Sequence, residues 1–255
     1  MPAPSGRAPV SEAPVAPAGR LAGRTAVVTG ASRGIGLATA QALAAEGARV
    51  AMLARSGHAL AAAAAAVGPG AAAVPCDVSD AIALRSAVAE IVERFGAPPD
   101  VLVSNAGRFT LAPVEATSAE DFTATLDTNL VAPFILARAF VPGMRARGSG
   151  TVVTVGSIAD RVTFPENGAY AASKHGLRAL HEVLRAELRG SGVRAVLVSP
   201  GPVDTPLWDA VDPDTREGFT PRAAMLAAAA VADAILFAVT RPAGVNIDEL
   251  RLSRS

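Results

Sequence analysis

Thr25-Ala-Val-Val-Thr29-Gly30-Ala-Ser-Arg33-Gly34-Ile-Gly36 is a short apolar run that breaks into spaced glycines, and an apolar helical pattern follows it as far as Glu46-Gly47. A continuous apolar run of this length is what a parallel sheet buries on both faces. Glycine permits positive φ and lets another group approach the backbone closely, so the helix that follows can present free N–H groups to a phosphate. The spacing Gly30-x3-Gly34-x-Gly36 departs from the commoner G-x-G-x-x-G, and such glycines by themselves also serve an ordinary tight turn.

The same unit repeats along the chain. Apolar runs predict strands at Arg49 to Leu53, Ala72 to Pro75, Val101 to Ser104, Thr151 to Val155 and Arg194 to Val198. Helical patterns fall between them near Leu37 to Glu46, His58 to Val67, Ala81 to Phe95, Ala119 to Arg147 and Ala169 to Arg189. Parallel strands joined by right-handed helical crossovers give an α/β fold, a doubly wound parallel sheet with helices on both faces. Its ligand crevice lies at the carboxyl ends of the strands. Residues 21–255 read as one such domain.

Composition narrows the function. Charge is balanced, the sequence pI is near 6.8 and 51% of residues are hydrophobic, which lacks the basic excess of a nucleic-acid binder. The single cysteine, Cys76, excludes an intrachain disulfide and fits a cytoplasmic location. Residues 1–20 are rich in Pro, Ala and Gly without an apolar core, and read as a disordered tail rather than a signal or anchor. Ala-rich stretches such as Ala59 to Val67 are too short to span a bilayer, so no membrane partner is expected. His58, His175 and His181 lack metal-ligand spacing, so no metal is expected.

The only tyrosine, Tyr170, stands four residues before the only lysine, Lys174. Every other basic residue is arginine, which marks Lys174 as a place where arginine will not serve. An i, i+4 pair shares one helix face. There an ammonium is expected to lower the phenol from about 10 toward working pH and make it a general acid/base. After the second strand the chain reads Met52-Leu-Ala-Arg55-Ser, with no carboxylate to meet ribose hydroxyls. Arg55 together with Arg33 instead offers a cationic clamp for a 2′-phosphate.

Thr29-Gly-Ala-Ser-Arg-Gly-Ile-Gly36, Asn105-Ala-Gly107, Asn129, Ser157, Tyr170-x3-Lys174 and Pro200-Gly201 occur in an order and spacing that resembles the short-chain dehydrogenase/reductase family, from about Leu21 to the C-terminus. The resemblance implies a single-domain Rossmann-like fold and a catalytic set of Asn129, Ser157, Tyr170 and Lys174. In it Ser157 holds the substrate carbonyl, Tyr170 transfers the proton, Lys174 holds the nicotinamide ribose and Asn129 supports a proton-relay water. Donors at that oxygen stabilise the negative charge that hydride transfer builds there. The resemblance further implies cofactor contacts from Gly30, Ser32, Arg33, Gly34, Ile35, Gly36, Arg55, Asp77, Val78, Asn105, Ala106, Gly107, Pro200, Gly201, Val203 and Thr205, with NADP(H) favoured.

Two departures matter. Ser104 stands where many members have a second asparagine, and the C-terminus lacks the Asp-Gly-Gly ending of fatty-acid-type ketoreductases. The expectation is an NADP-dependent oxidoreductase acting on an aldehyde, ketone or hydroxy acid of small or medium size, or on a secondary-metabolite intermediate. Alternatives are a 3-oxoacyl thioester reductase and a non-catalytic dinucleotide-binding regulator. A mobile loop over residues 203–222, with Thr205, Leu207 and Trp208, is expected to cover the substrate pocket. Phe109, Ile158 and Phe164 are further candidates for its wall, though each singly reads as core. The long fourth and fifth helices are expected to build a homodimer or homotetramer.

Overall fold

The apolar runs form strands β1 (Thr25–Thr29), β2 (Arg49–Ala54), β3 (Ala71–Pro75), β4 (Val101–Ser104), β5 (Gly150–Val155) and β6 (Val193–Pro200) in a computed structural model that describes residues 19–255. Two-residue strands β7 (Val203–Asp204) and β8 (Leu226–Ala227) pair with each other, and β9 (Glu249–Leu252) joins the main sheet. All seven main strands are parallel, in the order β3-β2-β1-β4-β5-β6-β9. The order reverses between β1 and β4, which opens a crevice above that pair.

Helices α1 (Gly34–Ala45), α2 (Gly57–Val67) and α7 (Ala228–Val239) cover one face; α3 (Ala81–Phe95), α5 (Ala132–Arg147) and α6 (Gly168–Glu187) lie against the other. Strand alternation divides the core between them. Val28, Val103 and Val153 pack with Leu43, Leu60 and Ile235, whereas Val27, Leu102 and Val152 pack with Ile91, Leu136 and Phe140. Side-chain caps begin several helices: Ser56 accepts the Ala59 N–H, and Asp80 accepts those of Ile82 and Ala83.

Four features differ from the sequence expectation. The helix expected over 119–147 is α4 (Ala119–Leu126) and α5 joined by a π-type turn at Asp127–Val131, where the Ala132 N–H donates to Asp127 O. By length and composition this stretch could cross a membrane; here it is a layer of the fold, with Leu136, Phe140 and Met144 in the core. Both α7 and β9 went unread. The first is apolar nearly all round, which hides helical period, and the second is a short edge strand with charged residues alternating outward. The expected tail lies outside the described residues except Gly19 and Arg20. Those two are held at the end of α1, where the Arg20 guanidinium meets Glu46 at 2.5 Å.

Candidate active site

A cavity of about 1450 Å³ runs along the carboxyl ends of the strands. One end is the turn after β1. Gly30 and Gly34 have φ of +66° and +57°, in the region that favours glycine. A Cβ on Gly36 would stand 2.3 Å from Gly30 O and 2.6 Å from Asn105 Nδ2, so the turn closes only around a bare Cα. Asn105 fastens it to β4: its Nδ2 donates to Thr29 O at 2.8 Å, and Thr29 Oγ1 accepts the N–H groups of Asn105 and Ala106. Thr205 closes over the turn, its methyl 3.1 Å from where a Gly34 Cβ would be.

Arg33 and Arg55 reach the same end, both exposed on the cavity wall. Among the described residues neither guanidinium is paired with a carboxylate, so each is available to an anion. Asp77 lies in the wall but accepts from Ser79 N at 3.0 Å and Ser79 Oγ at 2.7 Å, which shapes the turn after β3. Ser32, Ile35, Val78, Ala106, Gly107, Pro200, Gly201 and Val203 also line the cavity. A glycine turn at a helix start, with two free cations beside the second strand, fits a dinucleotide carrying an extra phosphate.

The other end holds Ser157, Tyr170 and Lys174 on one wall. Ser157 follows β5 and opens a short 3₁₀ turn, Ile158–Asp160, its Oγ accepting the Ala159 N–H at 3.1 Å. Tyr170 and Lys174 stand one turn apart on α6. Lys174 is buried, and its Nζ donates to Val155 O at 2.9 Å. Burial holds Lys174 down to about 8, against the pull of the Asp160 carboxylate. Burial likewise pushes Tyr170 up to about 12; the Ser157 hydroxyl opposes this, and Asp160 adds to it. The expected lowering of the phenol by the ammonium is therefore not what this site does on its own. Desolvation is the largest cause at both groups.

Two candidates stand off the wall. Gly36 is buried inside the turn, and Asn129 is fully buried at the π-type turn. Asn129 Oδ1 accepts Arg108 N at 2.8 Å, while Nδ2 donates to Arg108 O and to Ser173 Oγ, each at 2.9 Å. Its side chain ties α5 to α6 and to the loop after β4. Phe109 is buried yet faces the cavity; Ile158 and Phe164, which singly read as core, are 45% and 40% exposed there.

The sequence reading missed Asp160, Glu166, Arg216 and Phe219. Asp160 is buried and accepts Ser199 Oγ at 2.6 Å. Glu166 has a φ of +65° and meets Arg216 from the loop after β7 at 2.9 Å. Nothing local announces either contact, but the scarcity of aromatic residues could have drawn notice to Phe219.

Residues 24–216 match the family model described as short chain dehydrogenase. The chain is 38% identical to a D-threitol dehydrogenase of Mycolicibacterium smegmatis over 209 residues, 79% of this chain and 80% of that protein. A solved metagenomic short-chain oxidoreductase in complex with NADP superposes with a TM-score of 0.80 at 32% identity, covering 92% of this chain and 99% of that one. An alcohol dehydrogenase from the archaeon Thermococcus sibiricus, complexed with 5-hydroxy-NADP, does so at 0.78 and 30%, covering 90% and 95%.

Proposed function

This chain belongs to the short-chain dehydrogenase family, and from that membership we propose that it is an NADP-dependent oxidoreductase of carbonyl and alcohol substrates with Tyr170 as general acid/base. The observation that carries the reading is the shared wall: Ser157, Tyr170 and Lys174 face the cavity that the glycine turn, Arg33 and Arg55 close at its far end. When bound, NADPH supplies the hydride taken up by the carbonyl carbon.

Gly30, Gly34 and the start of α1 hold the pyrophosphate, and Arg33 with Arg55 holds the 2′-phosphate. Lys174 holds the ribose hydroxyls. The hydroxyls of Ser157 and Tyr170 donate to the carbonyl oxygen, and as its π bond breaks Tyr170 releases its proton to it. A phenol held up at about 12 is protonated at neutral pH, the state reduction requires. Asn129 fixes the α5–α6 junction behind Lys174 and supports the relay that returns a proton. The free, buried thiol of Cys76 supports a cytoplasmic location. Exposed Phe122, Val131, Phe134 and Val183 on α4, the π-type turn, α5 and α6 support assembly of two or four copies through that face.

Tyr170→Phe tests the mechanism. The variant should bind NADPH as the wild type does and lose carbonyl reduction by at least a thousandfold. Retained activity would overturn the assignment of Tyr170.

A further inference from the structure

Only 4% of the chain is aromatic, yet half of those side chains, Phe109, Phe164, Tyr170, Trp208 and Phe219, line one cavity. They form a continuous arc outward from the phenol. Phe109 lies edge-on to Tyr170 with centroids 4.8 Å apart and to Trp208 at 5.0 Å; Trp208 meets Phe219 at 6.3 Å, and Phe219 meets Phe164 at 6.4 Å. The hydrophobic core is not what gathers them there, because its largest buried side chains are aliphatic apart from Phe140.

The arc offers carbon rather than hydrogen bonds. The indole N–H of Trp208 already donates to Val203 O at 3.0 Å, so the ring presents its faces. Ile158, next to Ser157, and Phe164 leave apolar surface open in the cavity. Of the charged groups on this wall, Glu217 is exposed, and Arg216 pairs with Glu166 at 2.9 Å and stacks over Phe219 at 5.2 Å. That pair joins the loop after β7 to the segment before α6 without asking for a charged ligand. A linear polyol needs a partner for each hydroxyl, and the rings of the arc supply none. A flat ring loses nothing and gains edge-to-face contacts.

We propose that the substrate is an uncharged aryl ketone or aryl aldehyde whose ring packs among Phe109, Phe164, Trp208 and Phe219 while its carbonyl oxygen faces Ser157 and Tyr170. The proposal rests on the reading of Tyr170 as acid/base. Hydride from NADPH forms the new C–H bond, the Tyr170 proton forms O–H, and the products are the aryl alcohol and NADP+.

Trp208 is the sole tryptophan, so its emission reports on this wall without turnover. Acetophenone, cyclohexyl methyl ketone and L-erythrulose would be titrated into the cofactor-free protein and into its NADP+ complex, then assayed with NADPH. Acetophenone should quench Trp208 saturably in the complex and give a kcat/KM at least tenfold above that of either comparison compound. Phe164→Ala and Phe219→Ala should each raise its KM by about fivefold or more with kcat changed less. Equal use of cyclohexyl methyl ketone would overturn the aromatic assignment. Preference for L-erythrulose, or failure of acetophenone both to quench and to be reduced, would overturn the substrate class. Failure of the underlying reading looks different: whichever ketone is best, Tyr170→Phe would then reduce it as fast as wild type.

Discussion

Lys174 Nζ donates to the carbonyl oxygen of Val155 at 2.9 Å, which moors the ammonium to the last residue of β5 one helical turn from Tyr170. A buried cation with a single backbone acceptor is costly, and its proton is correspondingly easy to lose.

The stability of the cofactor-free protein should therefore depend on pH through this residue. Folding holds Lys174 at about 8 against an ordinary 10.5, so between those values the unfolded chain carries the extra proton. Stability gains from this group as pH rises through that window, and the full penalty, roughly 3 kcal/mol, applies below pH 8. Lys174→Met removes the penalty and a hydrogen bond worth about 1 kcal/mol. Urea melts should show the variant more stable by about 2 kcal/mol at pH 7, the advantage vanishing by pH 10.5. Lower stability at pH 7 would contradict this account.

Activity should follow the same two groups. Tyr170, held up at about 12, stays protonated across the working range, whereas Lys174 loses its charge above about 8. The kcat/KM for carbonyl reduction should be level from pH 6 to 8 and fall on the alkaline side. Alcohol oxidation, which needs the phenol deprotonated, should rise with pH over the same range.

Arg55 should set cofactor choice. Arg55→Asp replaces a free cation on the cavity wall by a carboxylate where ribose hydroxyls would lie. The Kd for NADPH should weaken by at least tenfold at fixed low salt, and that for NADH should stay level or improve. Titration by fluorescence checks this; unchanged NADPH binding would remove Arg55 from the clamp.

The buried Asp160 should matter for stability beneath Ser157. Its Oδ2 accepts Ser199 Oγ at 2.6 Å and stands 2.7 Å from where a Gly156 Cβ would be. Asp160→Ala strands that hydroxyl and should cost about 1–3 kcal/mol in a urea melt. Asp160→Asn keeps an acceptor and should cost less.

Gly36 gives a sharper contrast. A methyl there would overlap Gly30 O at 2.3 Å, and backbone cannot swing aside as a side chain can. Gly36→Ala should weaken NADPH binding at least tenfold and lower Tm. Gly68→Ala, at a φ of +110° with open space around it, should lower Tm through backbone strain while leaving NADPH affinity intact.

The run from Thr25 to Gly36, repeated as strand and helix, determined the sheet and the position of the crevice. Parallel strands must be apolar on both faces, and phosphate-binding turns must lack side chains, so both leave plain marks in a sequence. The spacing of Tyr170 and Lys174 likewise put them on one face of α6, because helical period is a local rule. Tertiary structure alone decided their protonation: burial, a property of everything packed around them, reversed the expected direction for the phenol. It also decided that Phe109, Phe164, Trp208 and Phe219, far apart in the chain, make one wall with Tyr170, and that Asn129 is buried with its amide bonded to Arg108 and Ser173. Such contacts come from segments meeting at the carboxyl ends of the strands, and no local pattern encodes which loop lies over which.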